Sequence, residues 1–313
     1  MARARIPPEA AGQRIDHAVA AAVPGLSVAA ARRLLLAEAV RIDGRRPRKG
    51  AKVGPREAGA TIEIDDVALA TVDRSRAELV RIAADPGLAV SVVFEDAALV
   101  AIAKPAGMAS HPLAAGQLGT AANAIVARFP ECAAASPDPR EGGLVHRLDT
   151  GTSGVLVAAR NARVWPELRA ALTADDCEKT YLAEVAGAPA DAGVETAPIG
   201  RVGRRGGRVR VGGGRQPMAA ETTWQVIERR ATTALLRVTL SAGRHHQVRA
   251  HLAAAGYPIV GDSRYGEHEH VNVHEDRGEL LHLHAESVRF KHPVSGETIF
   301  IEAPPPDWAK IRA

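Results

Sequence analysis

The 313-residue chain has few cysteines, few aromatic side chains and no long apolar run, and each shortage excludes a class of protein. Its two cysteines, Cys132 and Cys177, lack the spacing of a zinc site or of a disulfide framework. No run approaches the roughly 18 apolar residues of a membrane helix, and Arg14, Asp16 and His17 interrupt any signal-peptide core. Because aromatic residues make up only 3% of the chain, alanine, valine and leucine must fill the core. We expect a cytoplasmic protein without a membrane contact.

Most of the positively charged residues are arginines. It contains 34 arginines and 6 lysines, and its net charge is +4. The planar guanidinium fork of arginine suits phosphates and stacks on bases, which the lysine ammonium does not do. A genome rich in G and C accounts for the same excess. The composition is therefore compatible with a nucleic-acid partner and does not establish one.

A small α/β module is predicted at residues 12–65, where short elements of both types follow one another. Apolar spacing predicts helices at 14–23 and 28–39. Strands are predicted at 40–44 and 60–65. The length of the chain leaves room for this module and one larger domain.

The predicted module contains a basic loop at residues 44–52. Arg45, Arg46 and Arg48 lie in it, after a predicted pair of helices. Such a run is typical either of a solvated loop or of a contact with RNA phosphates. Its position favours the RNA contact.

The remainder divides into a linker at 66–89 and a large domain at 90–303. The β-branched content of the large domain predicts a series of strands: 90–96, 99–105, 154–160, 179–187, 222–229 and 231–240. Helices are predicted at three positions: 119–129, 162–173 and 246–255. Without a regular βαβ alternation, this order predicts an α+β fold with a mixed, largely antiparallel sheet.

Residues 200–215 contain six arginines among many glycines. We expect a mobile hairpin or loop there. The arginines indicate a nucleic-acid contact, and an ordinary flexible surface loop is the alternative.

The string HRLDTGTSG at residues 146–154 carries the strongest chemical signal. It places Asp149 two residues after Arg147, in a polar turn that precedes an apolar run. A nearby cation and hydrogen bonds both favour an ionised carboxylate, which can act as a nucleophile or a base. A charged turn before a buried strand is the simpler interpretation of the same residues.

Three further strings accompany it. KPAGMASHP carries Lys104 on a loop of proline and glycine, EKTYLAEV carries Tyr181 at the start of a strand, and AGRHHQVRAHLAAAGYPIVGDSRYG carries Arg249 in a helical turn. In this order the four strings resemble the motifs of the ribosomal large-subunit pseudouridine synthase A (RluA) family. The resemblance covers roughly residues 90–303. Residues 12–65 resemble the S-four-type RNA-binding module that commonly precedes this catalytic domain.

The resemblance implies isomerisation of uridine to pseudouridine in RNA, without a cofactor or a metal ion. It implies that Asp149 is the catalytic carboxylate, which attacks the sugar or assists departure of the uracil. It also implies that Tyr181 packs against the target base and takes part in the late deprotonation, and that Arg249 pairs with Asp149. By the same resemblance, Arg147 is expected to fill the space that the flipped nucleotide leaves. We expect Lys104, on the loop of proline and glycine, to be a further RNA-binding residue.

Several alternatives remain open. Ribosomal RNA is the leading substrate, transfer RNA the first alternative and a non-catalytic RNA-binding protein the second. A glycoside hydrolase requires a second catalytic carboxylate, and Asp262 is interpreted more simply as a turn residue. The histidine-rich segment 268–274 suggests a zinc site, but it resembles a variable polar insertion. We expect a monomer.

Overall fold

In a computed structural model, the chain forms two compact units, Met1–Arg81 and Ile82–Ala313. The structure describes residues 2–24, 26, 28–48, 50–54, 57–70, 82–114, 116–203, 207–240, 243–266 and 281–311. Among these residues, no helix combines the length and the apolar character that crossing a membrane requires.

The N-terminal unit packs two helices on a three-stranded antiparallel sheet. The helices are α1 (Ile15–Ala22) and α2 (Val28–Leu36). The strands are β1 (Ala2–Arg5), β2 (Val40–Ile42) and β3 (Thr61–Ile64), with β3 in the centre. The predicted helices and strands of this unit are confirmed. Strand β1 lies before the predicted module and pairs with β3.

Residues with positive φ end helix α2 and form the turn after β2. Glu38 has a φ of 57°, in the left-handed region, so the helix ends at Leu36 and not at residue 39 as predicted. Asp43 and Gly44 both have positive φ, as the tight turn of a hairpin requires. The turn brings the chain back from β2 and begins the basic loop.

The C-terminal unit contains twelve of the described strands and three described α-helices. Every strand and helix predicted for the large domain is present. Each begins and ends within two residues of its predicted bounds. The strands are β4 (Ser91–Glu95), β5 (Leu99–Lys104), β6 (Ser153–Ala159), β7 (Glu178–Ala186), β8 (Ala192–Glu195), β9 (Ile199–Val202), β10 (Arg208–Val211), β11 (Arg215–Met218), β12 (Thr222–Arg229), β13 (Thr233–Leu240), β14 (Leu283–Lys291) and β15 (Thr298–Glu302). The helices are α3 (Ala121–Arg128), α4 (Val164–Ala171) and α5 (Gln247–Ala254).

A nine-stranded sheet forms the centre of this unit. Eight of its strands follow the order β4-β5-β6-β14-β7-β13-β12-β8, and β15 pairs with β14. The β6–β14 pair is parallel, whereas the other described pairs of this sheet are antiparallel. Buried valine, leucine and alanine fill most of the core, as the low aromatic content requires. The prediction of an α+β fold with a mixed, largely antiparallel sheet is confirmed.

The arginine- and glycine-rich segment forms a small sheet of its own. Its strands are β9, β10 and β11, with β9 in the centre. The predicted hairpin is therefore confirmed for β9 and β10, although residues 204–206 lie outside the described part. Arg208 and Arg210 are exposed on β10.

The segment predicted as a linker is described only at its two ends. Residues 66–70 are helical, and residues 71–81 lie outside the described part of the chain. The second end packs on the C-terminal unit, where Ile82 is buried and its amide donates to the Pro139 carbonyl.

Candidate active site

A close approach of two backbones anchors the loop that carries Asp149. The loop ends at the start of β6, where Ser153 lies opposite His284 of β14 and Gly154 lies opposite Ala285. Gly154 has a φ of 115°, and a Cβ at this position would overlap the Ala285 backbone. Only glycine meets both conditions without strain. The parallel strand pair therefore fixes the end of the loop, and the Thr152 amide closes it by donating to the Asp149 carbonyl at 3.0 Å.

The KPAGMASHP string supports the Asp149 loop on both sides of the carboxylate. Before Asp149, the Ser110 hydroxyl donates to the Leu148 carbonyl at 2.7 Å and accepts from the Leu148 amide at 3.0 Å. After it, the Gly107 amide donates to the Thr150 carbonyl at 2.8 Å. Two loops that are distant in sequence are thus held together by hydrogen bonds on both sides of Asp149.

Lys104 belongs to this support and not to an RNA-binding surface. The residue is 1% exposed, and its ammonium donates to the carbonyls of Pro105, Met108 and Thr150 at 2.7 to 3.2 Å. Burial lowers its pKa to about 8, against the attraction of Asp149. The prediction of an RNA contact for Lys104 is wrong, because three protein carbonyls already satisfy its three donors.

Arg249 holds two carboxylates at once. Its Nη1 donates to Asp149 Oδ2 at 2.7 Å, so the predicted pair is present. Its Nε and Nη2 donate to the two oxygens of Asp262, both at 2.8 Å. This bidentate pair fixes the plane of the guanidinium, so the remaining nitrogen points at Asp149. The Asp149 side chain remains 23% exposed, on the open side of the pair.

Asp262 is a member of the site that was not predicted from the sequence. Its side chain is fully buried, and it also accepts from the amides of Arg264 and Tyr265. Burial opposes its ionisation, but the Arg249 hydrogen bonds and charge outweigh burial and lower its pKa. The interpretation as a turn residue is therefore incomplete. Its place in the Gly-Asp-x-x-Tyr-Gly part of the fourth string was the available signal.

The Asp149 carboxylate lies on the wall of two adjoining cavities. The larger is an open cleft of about 770 Å³, which Arg147, His245 and Arg264 also line. The smaller has a volume of about 70 Å³ and reaches Tyr181. Asp149 is the one acidic side chain among the described residues that line either cavity.

Tyr181 lies in the smaller cavity, near the start of β7. Its ring packs between two apolar clusters. Burial, and then the negative charge of Asp149, raise the pKa of its hydroxyl above the usual value. Tyr181 is therefore a neutral phenol at pH 7, with an apolar ring that can support a flat ligand.

Arg147 and two histidines border the mouth of the cleft. Exposed Arg147 lies 3.4 Å from His245 Nδ1, and the rings of His245 and His246 stack with centroids 3.8 Å apart. The ligand atoms of Asp149, His245 and His246 lie within 4.8 Å of one another, as a metal site requires. Arg249 argues against this use of the cluster, because its cation already binds the same carboxylate.

The three histidines of the predicted polar insertion lie outside the described residues: His268, His270 and His274.

Comparison with known proteins identifies the fold and its chemistry. A model described as RNA pseudouridylate synthase matches residues 98–254. The chain belongs to this family. It is an RNA pseudouridine synthase, and the resemblance of its catalytic domain to the RluA family is confirmed.

Relatives of the synthase match it over almost its full length. "Ribosomal large subunit pseudouridine synthase D" of Xanthomonas campestris pv. campestris is 35% identical and aligns over 97% of this chain and 89% of its own. "Ribosomal large subunit pseudouridine synthase C" of Escherichia coli O157:H7 is 33% identical, over 96% of this chain and 92% of its own. The solved structure of "Human RNA Pseudouridylate Synthase Domain Containing 1" is 26% identical, with a TM-score of 0.55. It covers 70% of this chain and 84% of the human one.

His146 gives the synthase loop a built-in sensitivity to acid. Its Nε2 accepts from the Val157 amide at 3.0 Å, and burial lowers its pKa from 6.5 to about 3. Between these values the unfolded chain binds more protons at this histidine than the folded chain does. The free energy of unfolding therefore falls as the pH is lowered through this range.

We expect His146→Gln to flatten this acid response, because a glutamine oxygen can accept the Val157 amide without titrating. Wild-type protein should lose about 2 kcal/mol more stability than the variant between pH 6.5 and pH 5. Urea unfolding of both proteins at the two pH values measures the difference. Parallel losses in the two proteins would show that His146 titrates normally in the folded chain.

Proposed function

We propose that the synthase isomerises uridines in large-subunit ribosomal RNA, with Asp149 as the reacting carboxylate. The substrate assignment is supported by the two large-subunit relatives, which align with at least 96% of the chain. The assignment of Asp149 is supported by one observation above all. It is the acidic side chain that faces the cleft, and Arg249 holds it at 2.7 Å.

The chemistry requires a stable negative charge beside the sugar. Isomerisation breaks the bond between ribose C1′ and uracil N1 and forms a bond between C1′ and C5. A proton leaves C5, and N1 gains one, so atoms and charges balance without a further reactant. As the first bond breaks, positive charge develops on the sugar, and an ionised Asp149 stabilises that charge or attacks C1′.

Two further side chains fit the passage of a base into the cleft. A uridine that reacts at C1′ must leave its stack, at a cost of a few kcal/mol. In this proposal Arg147, which is exposed at the mouth, occupies the vacated space. The ring of Tyr181, which lines the adjoining cavity, stacks on the flipped base.

The glycoside hydrolase alternative fails on the position of the second carboxylate. Such enzymes use two carboxyl groups that both reach the substrate. The Asp262 side chain is fully buried, and Arg249 binds both of its oxygens. It therefore reaches no substrate, and Asp149 acts alone.

Mapping of pseudouridines in total RNA from cells with and without the synthase tests the substrate. We expect the deletion to remove pseudouridine from defined positions of large-subunit ribosomal RNA and from no transfer RNA. Loss confined to transfer RNA would replace the proposed substrate by the first alternative. An unchanged map would contradict the proposed activity in the cell.

We also propose that the basic loop of the N-terminal unit contacts RNA, in line with the resemblance of residues 12–65 to an S-four-type module. Arg45, Arg46 and Arg48 are exposed there, although Arg46 also pairs with Glu38. Replacing the three arginines by alanine should weaken RNA binding and flatten its salt dependence. The slope of log affinity against log salt falls by roughly 0.7 to 0.9 for each phosphate that the protein no longer neutralises.

Titrations of labelled RNA at several salt concentrations measure this slope. A control variant removes the same charge from three exposed arginines of the C-terminal unit: Arg229, Arg237 and Arg289. An equal slope for the basic-loop variant and wild type would exclude the loop from the interface.

A further inference from the structure

Two hydrogen bonds and one close polar contact link the small sheet of β9, β10 and β11 to Asp149. The Val209 amide of β10 donates to the Tyr265 hydroxyl oxygen at 2.9 Å. The same hydroxyl lies 2.9 Å from His246 Nδ1. His246 Nε2 lies 3.5 Å from Asp149 Oδ1, whereas Arg249 binds the other oxygen, Oδ2. Neither Tyr265 nor His246 has a part in the proposed chemistry.

The direction of the protons in these contacts follows from the groups at their ends. The Val209 amide can only donate, so the Tyr265 oxygen accepts there and its proton is free to point at His246. Burial lowers the pKa of His246 to about 4, so the ring is neutral at pH 7. A neutral ring that accepts at Nδ1 carries its proton on Nε2. That proton faces Asp149.

The surroundings of Tyr265 hold it firmly in place. The guanidinium groups of Arg208 and Arg249 lie 5.4 and 5.5 Å from its ring centroid. Its ring meets that of His246 edge to face, with centroids 5.7 Å apart. Cation–π contacts of this kind restrain the position of an aromatic ring. Tyr265 thus links β10 with both partners of Asp149.

We propose that Tyr265 is a positioning residue of the synthase, which fixes the Nε2–H tautomer of His246 and so orients Asp149. This role rests on the proposed function of Asp149. The orientation of the Asp149 carboxylate then depends on the position of strand β10. The exposed arginines of this strand can bind an RNA backbone. Without the hydroxyl, His246 can move its proton to Nδ1 and present an unprotonated Nε2 to Asp149 Oδ1, 3.5 Å away.

Tyr265→Phe tests this role, and Tyr257→Phe is the matched control. Both substitutions remove one hydroxyl group, but Tyr257 packs on the apolar cluster around α5 and lines neither cavity of the site. We expect Tyr265→Phe to lower kcat about tenfold, the effect of one hydrogen bond. The KM for RNA should change by less than about twofold, because Tyr265 lines neither cavity of the site. Tyr257→Phe should keep the wild-type kcat.

A double-mutant cycle with His246→Ala separates positioning from a general loss of structure. If Tyr265 acts through His246, Tyr265→Phe should have no further effect on kcat once His246 is alanine. Nitrogen NMR of the His246 ring should show the Nε2–H tautomer in wild type and a mixture in Tyr265→Phe.

Three outcomes overturn the proposal: wild-type kcat in Tyr265→Phe, an equal fall in both backgrounds, or an unchanged tautomer. Failure of the proposed function is recognised separately, by activity that survives Asp149→Asn.

Discussion

Asp149→Asn should abolish pseudouridine formation, with a fall in kcat of at least roughly 10³-fold. The amide has nearly the shape of the carboxylate but carries no charge. It can neither attack C1′ nor stabilise the positive charge that develops on the sugar. Release of tritium from RNA labelled at uridine C5 measures the rate, because isomerisation removes that hydrogen.

The same variant should remain folded and should bind RNA with nearly wild-type affinity. Asp149 is partly exposed, and Arg249 keeps its bidentate pair with Asp262 when the Asp149 charge is removed. Asp191→Asn is the control, since Asp191 is an exposed partner of Arg229 on the surface. Tritium release by Asp149→Asn at the wild-type rate would exclude Asp149 from the chemistry.

Arg249→Ala should damage both stability and activity. Its removal leaves Asp262 fully buried without this cation, and it removes the group that orients Asp149. Breaking a buried ion pair from one side costs about 3–5 kcal/mol. We expect a loss of this size in the free energy of unfolding, measured with urea, and a fall in kcat of at least about 10²-fold.

Arg237→Ala provides the comparison for this loss. Arg237 also pairs with a carboxylate, Glu286, but its side chain is half exposed. Exposed pairs contribute about 1 kcal/mol or less, so this variant should remain near wild-type stability. Equal stabilities of the two variants would show that burial does not set the size of the loss.

Arg249→Lys separates charge from geometry. A lysine keeps one positive charge but lacks the fork that serves two carboxylates. We expect it to restore part of the stability of the alanine variant and little of its activity.

Much of the fold could be predicted from the sequence, because its strands carry local signals. Strand β12 has the predicted bounds, since threonine, tryptophan and valine alternate there as a half-buried strand requires. Strand β1 has no such signal. Its residues are alternating alanine and arginine, and only pairing with β3 makes them a strand.

The candidate site was predictable at Asp149, because HRLDTGTSG and the three other strings together resemble a known family. HRLDTGTSG pointed to Asp149, and the structure places that carboxylate in the cleft. The second partner of Arg249 was not predictable in the same way. Asp262 lies 13 residues away along the chain and acquires its role only when the turn after α5 folds back.

For Lys104 the sequence predicted a contact with RNA, whereas the structure shows a buried side chain. A lysine beside proline and glycine is typical of an exposed loop, because lysine is rarely buried. Here three backbone carbonyls surround the ammonium group, two from its own loop and one from the Asp149 loop. No local pattern in the sequence announces such a contact, since it depends on the three-dimensional path of two separate strings.

A crystal structure of Asp149→Asn bound to a target RNA stem-loop tests the role of Asp149 most directly. The variant should bind without turnover, so it preserves the substrate in its reactive position. We predict a uridine flipped into the cleft, with ribose C1′ about 3.5 Å from the side chain at position 149 and its base on Tyr181. A bound RNA whose uridine lies outside this cleft, or whose sugar faces away from position 149, would contradict the assignment of Asp149 as the reacting carboxylate.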